Sequence, residues 1–530
     1  VPNKFALPLL LVLALIRAEL PAAEFDLQTA SIADIDRAFA AGALTSERLT
    51  ELCLARIRAY EPKLHAVLAL NPAALAQARA LDAERKAKGP RSPLHGIPVV
   101  LKDNYDTSDL PTTAGFYGLK GSVPARDATV VARLRAAGAI ILAKVNLSEF
   151  ATGSDMSSLG GQSHNPHALD FAPSGSSGGT GVAIAAAYAP LGFGTDTGGS
   201  IRGPSNANGI VGLKTTFALN SRAGIIPLAL SLDTAGPMAR SVTDIALSLN
   251  CTAGPDPRDA ATAPNAGHVE RDYTRFLDAG ALKGARIGVA RDFLGQDAEV
   301  DATFESALSA MKRQGAVLVD VKYPPALIKL QGDLYLLIRQ TEFRWQIEDY
   351  LAGLKPGFPR THAQIVELAE RLMSPSPEGY RPDLGRLATY RAEAKAPALT
   401  DPVFVAQRDF GLGLMRATLL GLLKVNRLDA IVYPTASRRT ARLDAVPPTP
   451  TVPPAPAAPS AGRMANLSGC PELVVPAGFT TNGLPIGISF FGAAFGEGRL
   501  LALGYAFEQA THSLRQPVNT PSLPGERFSY

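Results

Sequence analysis

Apolar positions in the first part of the chain recur at helical spacing. They do so from residue 31 to 60, where Thr45, with Glu47 and Arg48 behind it, opens a second helical stretch. That stretch turns Leu52, Leu54 and Ile57 to one side. From Gly96 the pattern changes to short apolar runs alternating with helices. Residues 99–101 read as a buried strand, 128–137 as a helix, and 139–143 as the strand it feeds. The unit recurs at 307–313 and 316–321, with further strands at 286–290 and 430–433. Such alternation predicts an α/β fold: one α/β/α layered domain around a large mixed, mostly parallel sheet.

Near the C-terminus, apolar runs at 473–475 and 486–490 flank Thr481, Asn482 and Gly483, a hairpin signal. Before them, VPPTPTVPPAPAAP (446–459) reads as an extended surface strap. Residues 323–400 lack strand signals and carry Tyr335, Phe343, Trp345 and Tyr350 at irregular helical spacing. Two readings stay open there, a helical core and a variable cap over a substrate pocket.

Composition narrows the function. At 46% apolar and 19% charged, the 530 residues are globular. Lys plus Arg number 52 against 48 Asp plus Glu, a difference of +4, so no clustered basic excess points to nucleic acid. Three cysteines, Cys53, Cys251 and Cys470, lie too far apart for a disulfide framework or a CxxC pair. Only His164 and His167 stand close among seven histidines, which is too few ligands for a metal site. The apolar run 5–16 follows Lys4 and is shorter than the roughly 20 residues that span a bilayer. No stable membrane span is expected. With Ala22 and Ala23 as small cleavage residues, 1–23 reads as a signal peptide and the protein as periplasmic or secreted. Arg17, Glu19 and Pro21 fit that pattern poorly, and an apolar helix packed on the domain is the competing reading. The remainder, 24–530, divides into N-terminal helices (24–90), a core (91–322), the helical region (323–400) and the C-terminal part of the core (401–530).

The richest stretch is PSGSSGGTGVAIAAAYAPLGFGTDTGGSIRGPSNANGIVGLK, residues 173–214. Two Gly/Ser clusters, 175–179 and 198–200, are joined by a helix at 182–188 and a strand at 191–194. A phosphate loop needs a Lys after the glycines, and none follows either cluster. The dinucleotide fingerprint fails at Thr197. Acyl transfer remains, in which a serine attacks a carbonyl and backbone N–H groups hold the oxyanion. Residues 175–179 also spell GxSxG, which would make Ser177 the nucleophile of an α/β-hydrolase. That motif needs a strand before it and a histidine after it. Residues 170–174 are no strand, and His268, His362 and His512 have no supporting context.

LHGIPVVLKDN (94–104), the SSGG run from Ser176 and GTDTGGSIRGPS (194–205) together resemble the amidase signature family. Ser176 and Ser200 stand 24 apart, as that pattern requires. AKVNLSEF (143–150), DTAGPMARSV (233–242), DAIVYPT (429–435) and NLSGCPELVVPAG (466–478) extend the likeness over most of the chain. In general look it is similar to the exported, peptide-amidase-like bacterial members. The resemblance implies a Ser–cis-Ser–Lys triad: Ser200 as nucleophile, Ser176 as relay after a cis peptide bond, and Lys102 as base. It also implies oxyanion donors at Thr197, Gly198, Gly199 and Ser200, with Asp196 and Arg202 as supports. The expected reaction is hydrolysis of an amide C–N bond through an acyl-enzyme. No cofactor or metal is implied, the partner is a small-molecule or peptide amide, and the protein is expected as a monomer or homodimer.

The residues themselves support this chemistry. A neutral lysine can deprotonate a serine if burial depresses its pKa, and Lys102 follows an apolar run. The alternative for Lys102 is a surface charge or a salt bridge to Asp103. Ser174 replaces a glycine of the usual pattern, outside the triad, and is expected to matter little. Cys470 reads as a core thiol. The rival function is an amidotransferase component of a glutamine-dependent complex; an export leader and a balanced charge argue against it.

Overall fold

The computed structural model describes residues 24–152, 155–373, 380–381, 383–444 and 460–530. The leader and the proline-rich segment 446–459 therefore lie outside the described residues. An eleven-stranded sheet organises the rest. Its order is Val317–Val321, Arg286–Ala290, Ala430–Pro434, Pro485–Phe491, Glu472–Phe479, Val211–Lys214, Thr234–Ala239, Leu191–Asp196, Pro98–Lys102, Ile140–Val145, Val67–Leu70. Pro98–Lys102, Ile140–Val145 and Leu191–Asp196 are buried at every position. This is why they read as continuous apolar runs: helices cover both faces of the sheet there.

The layered α/β expectation holds, and the sheet is mixed. Parallel pairing joins Arg286–Ala290 to its two neighbours at one flank, and Pro98–Lys102 to its two neighbours at the other. Antiparallel ladders fill the centre. One of these is the expected hairpin of Glu472–Phe479 and Pro485–Phe491, with Gly483 at φ +83° in its turn. The Thr45 expectation also holds: its side chain accepts the Arg48 N–H at 3.0 Å and caps the helix Ser46–Leu64.

Two local readings change. The helix expected at 182–188 runs instead over Gly178–Ala185, starting inside the first Gly/Ser cluster. Glycine suits that start because a β-carbon at Gly179 would lie 2.4 Å from Asn146 O. The strand Thr234–Ala239 was hidden by Gly236 and Pro237, which weaken a strand reading. Gly236 is there for close approach, since its β-carbon would sit 2.2 Å from Leu213 O on the next strand.

Residues 323–400 form the helices Pro325–Ala352, His362–Arg371 and Leu384–Glu393. Phe343, Ile347 and Leu351 bury against Phe116, Phe150 and Tyr390 in an apolar cluster of their own. Among the described residues, no helix is long and apolar enough to cross a membrane.

Candidate active site

Lys102 closes its strand and is 0% exposed. Its Nζ donates to Ser176 Oγ at 2.7 Å and to Thr195 Oγ1 at 2.8 Å. Asn104 Nδ2 donates to the same threonine hydroxyl at 3.1 Å. The alternative pairing with Asp103 is not made. That carboxylate meets Lys144 Nζ at 2.9 Å and the Thr113 N–H at 3.0 Å. Burial lowers the Lys102 pKa from 10.5 to about 7, with the charges of Asp196 and Asp233 opposing the fall.

The peptide bond Gly175–Ser176 is cis. Ser176 is buried, and its carbonyl accepts the Ser148 N–H at 3.0 Å. Ser200 is half-buried, and its carbonyl accepts the Ser177 N–H at 3.1 Å, which ties the two Gly/Ser clusters together. Among the described residues Ser200 Oγ makes no hydrogen bond, so a direct Ser176–Ser200 link is not closed.

Asp196 organises the second cluster. Its carboxylate accepts the N–H of Gly199 at 2.7 Å and of Ile201 at 2.9 Å, and Arg202 Nε at 3.1 Å. Burial alone would raise the Asp196 pKa, but Arg202 and those N–H groups hold it below the usual carboxylate range. Arg202 also reaches Glu472 at 2.5 Å, Asn466 Oδ1 at 2.5 Å and Gly462 O at 2.8 Å. The Gly199 N–H, one of the four expected oxyanion donors, is thus engaged by Asp196. Those of Thr197, Gly198 and Ser200 have no partner among the described residues. Thr197 Oγ1 donates to Asp233 at 2.6 Å, and Asp233 in turn accepts the N–H groups of Leu228 and Ala229.

The elbow reading finds little here. Ser177 is 0% exposed, and its Oγ donates to Thr195 O at 3.2 Å. His268 stacks on Phe495, His362 faces Glu393, and His512 is exposed at a helix end. His164 and His167 contact the carbonyls of Leu169 and Asn208 at 2.7 and 3.1 Å. Cys470 lies in an apolar cluster, where burial pushes its thiol pKa up. The 650 Å³ cavity beside Asp106, Arg222 and Tyr350 includes none of Lys102, Ser176 or Ser200. Chemistry, not volume, locates the site.

Ser174 sits at φ +62°, a left-handed conformation that glycine adopts freely and L-residues resist. Ser174→Gly is expected to raise stability by about 0.5–1 kcal/mol, read as a higher denaturation midpoint with an unchanged slope. A lower midpoint would show that the serine side chain contributes more than the backbone costs. Sequence reasoning gave no roles to Thr195, Asp233, Asn466 or Glu472. All four stand in conspicuous motifs, so the available signal was a polar residue inside an otherwise buried run.

A mixed α/β sheet whose strand ends gather a buried lysine, two Gly/Ser clusters and an Asp–Arg clamp defines an amide-hydrolysing class of enzyme. Known proteins agree. The Amidase family model matches residues 48–501. A glutamyl-tRNA(Gln) amidotransferase subunit of Chloroflexus aggregans is 37% identical over 89% of this chain and 95% of its own. A probable amidase of Arabidopsis thaliana is 34% identical over 93% and 92%. The structure of the Stenotrophomonas maltophilia peptide amidase superimposes with a TM-score of 0.83, at 36% identity over 92% of this chain and 98% of that one. A glutamyl-tRNA(Gln) amidotransferase subunit from Thermotoga maritima gives 0.71 at 27% identity, over 93% and 98%. The chain belongs to the amidase signature family and is an amidohydrolase.

Proposed function

We propose that this enzyme hydrolyses linear carboxylic amides through an acyl-enzyme on Ser200, with Ser176 as proton relay and Lys102 as base. One observation carries the reading: the 2.7 Å bond from a fully buried Lys102, with its pKa near 7, to Ser176. Neutral Lys102 takes the Ser176 proton as Ser176 takes that of Ser200. Ser200 Oγ then attacks the carbonyl carbon, and the oxyanion is met by the N–H groups of Thr197, Gly198 and Ser200. The proton returns through Ser176 to the leaving nitrogen, the C–N bond breaks, and ammonia or an amine departs. Water repeats the relay on the ester, and the carboxylate is released.

The amidotransferase reading is favoured by the names of several relatives. Against it stands the greater structural likeness to a peptide amidase, 0.83 against 0.71. A stand-alone amidase should turn over amides as the purified chain; an amidotransferase component would need its partner chains for full glutamine turnover. The apolar run at 5–16 supports export of the enzyme.

A fluorophosphonate probe, mapped by peptide mass spectrometry, tests the nucleophile. Label is expected on Ser200 and is lost from Ser200→Ala. Ser177→Ala and His512→Ala should both still label. Label on Ser177, with activity lost in His512→Ala, would overturn the assignment.

A further inference from the structure

The helix Pro325–Ala352 brings one side chain onto the glycine-rich loop. Tyr335 packs so closely on Gly198 that a β-carbon there would lie 2.6 Å from its ring. Arg463 lays its guanidinium on the same ring, 4.5 Å from the centroid. The adjoining backbone is fixed to the loop as well. Gly462 O accepts Arg202 Nη2 at 2.8 Å and would lie 3.5 Å from a β-carbon at Gly199. Arg202 therefore anchors both the Asp196 clamp and the turn that carries Arg463.

Arg463 is half-buried, yet among the described residues it meets no carboxylate and donates no hydrogen bond. Among the described residues the Tyr335 hydroxyl also lacks a hydrogen-bond partner, and both side chains are only partly buried. Among the described residues Arg126 and Arg313 are unpaired too, but both are exposed. Arg463 differs because it is half-buried and held on an aromatic face, that of the ring which packs on Gly198. A planar guanidinium held in this way matches the two oxygens of a carboxylate.

We propose that Arg463 and Tyr335 form an anion subsite of the substrate pocket, and that the preferred amides carry a carboxylate. The proposal rests on the Ser200 reading above. We place the carboxylate on the acyl side, tested with primary amides, whose departing nitrogen bears no other group. Arg463 would hold it by paired N–H donors and Tyr335 by its hydroxyl. Both are specificity residues; neither touches the proton relay.

The test uses the full chain and the series of ω-carboxyalkanamides with two to five methylenes, each matched to an isosteric amide that ends in isopropyl. At the best length, kcat/KM should favour the carboxylate by about 10- to 100-fold, the range for a charge-assisted hydrogen bond. Arg463→Met should lower that ratio about tenfold, with the loss in KM rather than kcat, and what remains is the share of the Tyr335 hydroxyl. Arg463→Lys should restore part of it, because the charge returns without the fork. Equal turnover of both series, or an unchanged ratio in Arg463→Met, overturns the subsite. If neither series is hydrolysed, calorimetric titration of 5-amino-5-oxopentanoate decides the subsite alone, while fluorophosphonate labelling of Ser200 decides the Ser200 reading separately. Heat of binding that vanishes in Arg463→Met supports it; absence of binding to the unmodified enzyme overturns it.

Discussion

Ser200→Ala should lower kcat on a good amide by about 10⁴- to 10⁶-fold, the scale set by removing the nucleophile of a comparable serine triad. The rival serine, Ser177, is not free to attack a carbonyl, since its Oγ is buried and donates to Thr195 O. Stability should scarcely move. Ser200 Oγ makes no hydrogen bond among the described residues, so its loss strands no buried partner, and its backbone bond to Ser177 is retained. Single-turnover assays and a thermal melt check both halves. Residual activity above about 1% of the original, in a protein free of contaminating amidase, would sink the assignment. Ser176→Ala makes a useful contrast. It removes the 2.7 Å acceptor of a buried amine, so activity and stability should both change.

The second large effect is on pH. With Lys102 as the proposed neutral base and its pKa at about 7, kcat/KM should climb about tenfold per pH unit below that value and level off above it. Lys102→Met should remove this limb together with nearly all activity. The same titration acts on stability, with the sign reversed from that of a stabilising ion pair. Between pH 7 and 10.5 the folded lysine is neutral while the unfolded one is protonated, so the unfolded chain binds more protons and stability rises with pH. Below 7 both states are charged, and the cost of burying the ammonium is present in full. Lys102→Met removes that cost, so its melting temperature relative to the original should be higher at pH 6 than at pH 9. An acid limb near pH 4.5, or a relative stability that does not vary with pH, would mean that another group titrates.

These expectations draw on different depths of the molecule. The run of apolar residues before Lys102 already predicted a buried lysine at a strand end, and the strand Pro98–Lys102 is buried throughout. The hairpin at Gly483 and the Thr45 cap were equally legible, because turn and cap chemistry act within a few residues. The antiparallel centre of the sheet was not, since strand direction depends on partners far along the chain. Nor was the cost of Ser174, because no local pattern reports a backbone angle at a substituted glycine.

For the site, sequence alone determined the candidates for chemistry: two Gly/Ser clusters at a set spacing, a lysine behind an apolar strand, and an Asp and Arg beside the second cluster. Tertiary structure decided what surrounds them. Asp103 turned out to be held by Lys144, which leaves Lys102 to Ser176 and Thr195. Arg202 turned out to be held by Glu472, 270 positions on. Tyr335, from a region with no motif, came to rest on Gly198 and brought Arg463 with it. The division has a physical cause. Residue identity and spacing are properties of the chain, whereas a lysine's proton affinity and an arginine's partner depend on dielectric and distance, and both are set only when remote segments pack.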